Sequence, residues 1–141
     1  MSATLQITLG FVFQDNNVEV KRLLASLSEI NLDQLDEIIA VDNSNSQSVE
    51  IDIYKNFGNV KLRIVKNKML MPLPYNRNQI FRMSHSDIVI FLDSDVEFIQ
   101  KNFIDVVLGN FSNFNVDIMS VTLHALIVFF LQIPSYSTFP A

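Results

Sequence analysis

The chain has 141 residues, of which 49% are hydrophobic and 18% are charged, and its formal net charge at pH 7 is −5. A chain of this length fits one domain and buries roughly two-thirds of its unfolded surface, so we expect a packed core. The negative charge argues against nucleic acid as a partner, because a phosphate backbone requires clustered Lys and Arg. The chain contains no cysteine, which excludes disulfides, thiolate zinc sites and cysteine nucleophiles and suits a reducing cytosol.

The first elements of the chain are predicted to be a strand and an amphipathic helix. Residues 5–13 (LQITLGFVF) are rich in strand formers. Asn16 and Asn17 can cap a helix that begins near Val18, with Glu19 in its favoured first turn. The apolar residues that follow recur at helical spacing and predict one buried face. That face consists of Val20, Leu23, Leu24, Leu27 and Ile30.

Three further strands and two further helices are predicted in the middle of the chain. The strands cover 37–41, 60–65 and 87–92, and the helices cover 76–83, after Pro72 and Pro74, and 100–108. The strand 87–92 (DIVIFL) is nearly all apolar, as expected of a central parallel strand that is covered on both faces. Strands that alternate with helices imply an α/β domain with a mostly parallel sheet.

Polar clusters follow two of the predicted strands. Asp42-Asn43-Ser44 comes after one strand, and Asp93-Ser94-Asp95 comes after another. In parallel sheets of this kind, ligands bind outside the carboxyl ends of the strands. The sequence therefore predicts a ligand site at this edge of the sheet.

The two acids of the second cluster, Asp93 and Asp95, are the candidate metal ligands. Two carboxylates about 4 Å apart repel each other by on the order of 4 kcal/mol at an effective dielectric constant near 20. Mg²⁺ or Mn²⁺ would reverse that repulsion, since such an ion takes one or two carboxylates together with waters and substrate phosphate oxygens. An acidic protein could thereby hold a diphosphate without a basic pocket.

Two other interpretations of this acidic pair remain open. The first is a solvated turn that leads into the next helix. The second is a phosphotransferase of the haloacid dehalogenase type, which also carries Asp-x-Asp after an apolar strand. That class needs a lysine and another acidic pair downstream, whereas this chain offers Lys101, which is too close, and the isolated Asp105 and Asp117.

Three segments, in this order, resemble family 2 glycosyltransferases of the GT-A fold. EIIAVDNSNS is similar to the family's strand and "VDNGS" loop, NKMLMPLPYNRNQI to its "N-x-G…aRN-x-g" segment, and DIVIFLDSDVEF to its Asp-x-Asp metal motif. The resemblance covers about residues 5–112. It departs from the family in two places: Phe11 to Gln14 stand where "PTYN" is usual, and Pro72 and Pro74 stand where glycines are usual.

The resemblance implies a role for five residues. Asp42 would hydrogen-bond the nucleotide base, commonly uracil, and Arg77 would face the diphosphate. Asn78 would support the nucleotide loop. Asp93 would contact the ribose and the metal, and Asp95 would coordinate the metal and the diphosphate. The alternative for Asp42 is an ordinary Asx-turn. The alternative for Arg77 and Asn78 is a solvated position on a helix surface.

The last part of the chain does not match the family's acceptor-binding half. We predict a nucleotide-sugar-binding half at 1–115 and an apolar segment at 116–141, which forms a strand, a helix or an oligomer contact. The mostly apolar stretch 118–133 has about 16 residues, short of the roughly 20 that span a bilayer. After Asp117 there is no Asp or Glu to serve as the catalytic base, which is therefore unknown. We interpret His124, within this stretch, as a partly buried residue and His85 as a turn residue.

The sequence thus predicts a glycosyltransferase, apparently truncated, that binds a nucleoside-diphosphate sugar with Mn²⁺ or Mg²⁺. UDP-sugars are the expected donors, and the expected acceptor is a hydroxyl of a sugar or of a lipid-linked sugar, as in polysaccharide biosynthesis. The alternative is a non-catalytic remnant that binds a nucleotide or a partner protein. We expect a cytoplasmic location, either free or at the cytoplasmic face of a membrane. The sequence leaves open whether the chain forms a homo-oligomer or is completed by a second chain.

Overall fold

A computed structural model describes residues 4–45, 57–114, 118–123 and 126–132. Side chains are described up to residue 113. Within these ranges the chain forms six strands and three helices. In chain order they are β1 (Ile7–Phe13), α1 (Asn17–Leu27), β2 (Leu35–Asp42), β3 (Lys61–Lys66), α2 (Leu73–Met83), β4 (Ile88–Asp93), α3 (Phe103–Phe114), β5 (Ile118–Leu123) and β6 (Leu126–Gln132).

All six strands belong to one sheet, in the order β3-β2-β1-β4-β6-β5. The first four strands of that order are parallel, whereas β6 pairs antiparallel with β4, and β5 pairs antiparallel with β6. The predicted α/β architecture with a mostly parallel sheet is therefore confirmed. The stretch 118–133, for which both strand and helix were considered, contains the two antiparallel strands. No helix in the described part of the chain is long and apolar enough to cross a bilayer.

The sheet is covered on both faces because its strands alternate between two sets of apolar side chains. One set packs against α1 and α3, and the four predicted core residues of α1, from Val20 to Leu27, are fully buried in this larger cluster. The other set packs against α2 and is smaller. It consists of Ile39, Val41, Ile80 and Val89, with Val12, Val65, Phe81, Met83 and Phe91 around them.

Two helices begin at other residues than the sequence indicated. Helix α2 begins at Leu73 rather than Asn76, so Pro74 lies in its first turn, where the missing N–H of proline removes no helical hydrogen bond. Helix α3 begins at Phe103 rather than Gln100. The carbonyl of Asn102 accepts the N–H of Val106 and starts the helix there, and Asn is a favoured residue in that position.

Helix α2 packs closely against β1 because Gly10 has no side chain. A Cβ atom placed there would lie 2.4 Å from Cγ2 of Ile80, which is fully buried in the α2 face. Real Cβ contacts essentially never reach this distance. Gly10 therefore sets how closely α2, and with it the loop that precedes α2, approaches the sheet.

We predict that Gly10→Ala lowers the free energy of unfolding by about 1–3 kcal/mol, because the added methyl group overpacks a buried contact. Gly109→Ala is the matched control. A Cβ at Gly109, on α3, meets nothing within 4 Å, and Ala is favoured over Gly in a helix by about 0.5–1 kcal/mol. Urea denaturation measures both variants, and equal effects of the two substitutions would contradict the proposed contact.

Candidate functional site

A cleft of about 390 Å³ lies at the carboxyl ends of β1 and β2. Its walls come from β1 and the loop after it, from the residue after β2, from the start of α2 with the loop before it, and from the residue after β4. Four of the lining residues are apolar, and five carry an amide or a hydroxyl. They are Val12, Phe13, Gln14, Asn16, Asn43, Met71, Leu73, Asn76 and Ser94.

Three buried asparagines hold this end of the sheet to the loop before α2. Asn43 Oδ1 accepts from the main-chain N–H of Met71 at 3.0 Å and from Nδ2 of Asn67 at 2.8 Å. Asn67 Nδ2 also donates to Asn76 Oδ1 at 2.7 Å, and Asn76 Nδ2 donates to the carbonyl of Met71 at 3.1 Å. The main chain of Met71 fixes the orientation of these amides, because its N–H only donates and its carbonyl only accepts.

The loop between β1 and α1 is also fixed by hydrogen bonds. Asn16 holds the N-cap position of α1, but its side chain does not cap the helix. Instead, Asn16 Oδ1 accepts from the N–H of Gln14 at 3.0 Å, and Asn16 Nδ2 donates to Ser94 Oγ at 2.6 Å. The N–H of Asp15 donates to Ser44 Oγ at 2.9 Å. Asp15 has φ = 53°, a left-handed conformation that few residues other than Gly adopt, and such residues cluster at functional sites.

Asp42 is buried at the end of β2 and does not line the cleft. It is only 1% exposed, and its Oδ1 accepts from the N–H of Ser44 at 2.9 Å. Its Oδ2 lies 3.2 Å from Nζ of Lys66 at an angle that makes no hydrogen bond, so the attraction there is Coulombic. Lys66 Nζ donates instead to the carbonyl of Ser44 at 2.6 Å. The residue that reaches the cleft wall from this loop is Asn43.

Asp93 and Asp95 are both exposed, and Ser94 between them lines the cleft. Asp93 Oδ1 accepts from Nη2 of Arg77 on α2 at 3.4 Å. By strand alternation Asp93 lies on the α2 face of the sheet, like Phe91, whereas Asp42 lies on the opposite face. The two polar clusters nevertheless meet at one cleft, since the neighbours of both acids form its walls.

The two asparagines of α2 lie in different surroundings. Asn76 is fully buried and lines the cleft, whereas Asn78 is exposed on the helix surface. Asn76 supports the loop before α2 through the carbonyl of Met71, and the role of Asn78 toward a nucleotide stays a prediction. The predicted position of His124 lies outside the described residues.

The acids beside the cleft fit a metal ion whose remaining ligands come from water and from a bound phosphate. No group of three or more His, Cys, Asp or Glu side chains that could hold a metal occurs in the described part of the chain. Mg²⁺ is usually bound by one or two carboxylates together with substrate phosphates, rather than by an all-protein cage. Asp93 and Asp95, which are exposed on either side of the cleft residue Ser94, match that requirement in number and type.

Sequence reasoning missed four residues of the site: Gln14, Asn67, Asn76 and the ion-pair partner Lys66. Gln14, Lys66 and Asn67 stand directly after predicted strands, where a ligand edge is expected, and that position could have indicated them. For Asn76, within a helix, the sequence carries no comparable signal.

The family model for glycosyl transferase family 2 matches residues 14–131, and the chain belongs to this family. No curated protein matches the chain. The family assignment agrees with the resemblance of the three sequence segments.

Solved structures confirm the GT-A fold. A mannosyltransferase, PcManGT from Pyrobaculum calidifontis in complex with GDP-Man and Mn²⁺, aligns with a TM-score of 0.75 and 13% identity over 86% of this chain and 36% of that one. TarS 1-349 of S. aureus in complex with UDP-GlcNAc aligns with a TM-score of 0.66 and 20% identity over 81% of this chain and 33% of that one. The chain thus spans about a third of the length of the structures it matches.

We predict that Lys66→Met lowers the free energy of unfolding by about 1–3 kcal/mol, since it leaves the buried carboxylate of Asp42 without its cation. Lys61→Met, at the exposed start of the same strand, is the matched control and should change stability by less than about 0.5 kcal/mol. Adding Asp42→Asn to Lys66→Met should recover part of the loss. Urea denaturation of the four proteins tests this, and a Lys66→Met variant as stable as the Lys61→Met variant would refute it.

Proposed function

We propose that this protein binds a nucleoside-diphosphate sugar together with Mn²⁺ or Mg²⁺ and presents the sugar for transfer to a hydroxyl acceptor. The observation that carries the proposal is the cleft at the carboxyl edge of the sheet, whose wall includes Ser94, the residue between the exposed acids Asp93 and Asp95. Membership of glycosyl transferase family 2 supports the same reaction class.

The base and ribose would occupy the cleft. Its apolar residues offer a surface for the face of a base, and its amides and hydroxyl offer hydrogen bonds to polar edges. The family resemblance implies that Asp42 contacts the base, but that contact would require the carboxylate to leave its buried position beside Lys66. We assign Asp42 a supporting role, since it holds the N–H of Ser44 and so fixes the loop that carries Asn43.

The diphosphate would lie between Arg77 and the acidic pair. A guanidinium complements phosphate oxygens, and Arg77 is already held beside Asp93 at 3.4 Å. Asp93 and Asp95 would hold the divalent ion, which would stabilise the charge of the departing nucleoside diphosphate. With a net charge of −5, the chain needs such a cation to attract a diphosphate.

The related structures support this donor class. PcManGT is in complex with GDP-Man and Mn²⁺, and TarS 1-349 is in complex with UDP-GlcNAc. For this chain we propose a nucleoside-diphosphate sugar as donor, with UDP-sugars first, and a sugar or lipid-linked hydroxyl as acceptor. The acceptor hydroxyl oxygen would attack the anomeric carbon, the bond from that carbon to the nucleoside diphosphate would break, and the hydroxyl proton would pass to a general base.

We predict that UDP binds in the presence of Mn²⁺ and that Asp95→Asn lowers this affinity by about tenfold or more, because a neutral amide is a poor ligand for a hard cation. Glu97→Gln, which neutralises an exposed acid two residues further on, is the matched control and should bind like the wild type. Isothermal titration with and without Mn²⁺ measures both variants. Metal-dependent binding that survives in Asp95→Asn would defeat the assigned role of Asp95.

Turnover distinguishes the enzyme from a binding module. Wild-type protein incubated with a panel of nucleotide sugars and Mn²⁺ should release the nucleoside diphosphate, by hydrolysis or by transfer to an added sugar acceptor. Binding of UDP without any release would favour the alternative, a glycosyltransferase-like module that binds nucleotides without chemistry.

A further inference from the structure

Seven consecutive residues at the start of α2 and just before it are apolar, and most of them face solvent. We name this segment, residues 69–75 (MLMPLPY), the apolar tip. Met69 is 69% exposed, and Leu70, Leu73 and Tyr75 are each between 44% and 48% exposed. Single exposed apolar residues are common on protein surfaces, but a continuous exposed run marks an interaction surface. The apolar tip is therefore a candidate docking surface.

The main chain at the centre of the apolar tip is either paired within the protein or has no donor. The N–H of Met71 donates to Asn43, and its carbonyl accepts from Asn43 and Asn76. The carbonyl of Pro72 accepts from the N–H of Asn76, and neither Pro72 nor Pro74 has an N–H to satisfy. Unpaired backbone groups are costly in hydrocarbon, so such a segment is suited to contact with lipid.

The apolar tip lies in the basic part of an acidic chain. No Asp or Glu stands between Asp52 and Asp87, whereas seven of the chain's ten Lys and Arg residues fall there. Lys68, directly before the tip, is exposed. An apolar surface beside cations fits a bilayer that contains anionic lipids, since each Lys or Arg near such a surface adds electrostatic attraction.

We propose that the apolar tip docks this protein on the surface of an anionic lipid bilayer. Met69 and Leu70 would insert among the acyl chains, Lys68 would lie at the headgroups, and Tyr75 would take the boundary that tyrosine favours. Leu73 belongs to the tip and also lines the cleft, so docking would place the cleft beside the lipid surface. This docking goes beyond the proposed nucleotide binding and does not depend on it.

A second copy of the chain is a less suitable occupant of the apolar tip. A two-fold contact uses the same surface patch on both subunits, so one tip would face the other. Lys68 of one copy would then approach Lys68 of the other, and like charges at an interface repel. An anionic bilayer offers partners to the apolar and the cationic groups at once.

The chain contains no tryptophan, so a single introduced one reports the surroundings of its own position. Leu70→Trp probes the apolar tip, and Ile99→Trp is the matched control, because Ile99 is 95% exposed and lies outside the tip. Each variant of the whole chain is mixed with vesicles of phosphatidylcholine, with or without phosphatidylglycerol. We expect the anionic vesicles to shift the emission of Leu70→Trp to the blue, and brominated acyl chains to quench it, whereas Ile99→Trp stays unchanged.

Co-sedimentation with the same vesicles measures the affinity, and thermal melting confirms that each variant is folded. Combining Met69→Ser with Leu70→Ser should weaken binding to anionic vesicles at least tenfold, because two apolar side chains are lost. Lys68→Gln should weaken it about fivefold, and added salt should weaken binding of the wild type. Lys21→Gln, at an exposed position of α1 on the other face of the sheet, is the charge control and should bind like the wild type.

Several results would overturn the docking proposal. They are a wild type that does not bind anionic vesicles, equal binding by the double serine variant, and equal emission shifts in Leu70→Trp and Ile99→Trp. A shift of Leu70→Trp that follows protein concentration without lipid would also overturn it, because a second copy would then cover the tip.

Titration with UDP and Mn²⁺ separates this proposal from the proposed function. The double serine variant should bind UDP like the wild type, and a loss there would assign the apolar tip to the nucleotide site and overturn the docking proposal. A wild type that binds vesicles but no nucleotide would refute the proposed function and leave the docking intact.

Discussion

The site depends on the two hydrogen bonds that the main chain of Met71 makes with Asn43. A backbone N–H and a backbone carbonyl have fixed polarity, so they set the direction of every amide that follows in the network. Through Asn67 and Asn76 the same constraint joins the ends of β2 and β3 to α2. Buried polar groups rigidify a structure only when all members are satisfied, and no side-chain atom of Asn43, Asn67 or Asn76 is among the described buried atoms that lack a hydrogen-bond partner.

The electrostatics of the site follow a division between buried and exposed acids. Asp42 is buried and offset by Lys66, so its charge serves the structure of the loop. Asp93 and Asp95 are exposed, and only Asp93 is shown beside a cation, Arg77, at a distance where the attraction is weak. An acidic protein can therefore keep one carboxylate for its own stability and leave two others available to an ion.

Much of the fold could be predicted from the sequence, because periodicity reports which side of an element is buried. The buried face of α1 and the apolar strand β4 both followed from the spacing of Leu, Val and Ile. The starts of α2 and α3 could not be predicted, since they depend on single turns. The asparagine network could not be predicted either, because its hydrogen-bonded partners lie 5 to 28 residues apart and its members look like ordinary polar residues in the sequence. The sequence predicted which edge of the sheet carries the cleft. It did not predict that Asp42 is buried while its neighbour Asn43 lines the cleft.

The antiparallel pairing of β6 with β4 has a consequence for how this architecture can grow. Phe91 pairs with Phe129 and Ile88 with Gln132, so β6 starts at the edge of the sheet that carries the acidic pair and ends at the opposite edge. Leu123, the last residue of β5, and Leu126, the first residue of β6, therefore lie at the same edge as Asp93. An insertion between these two residues would place new side chains beside the acids, whereas β6 ends with Gln132 at the opposite edge.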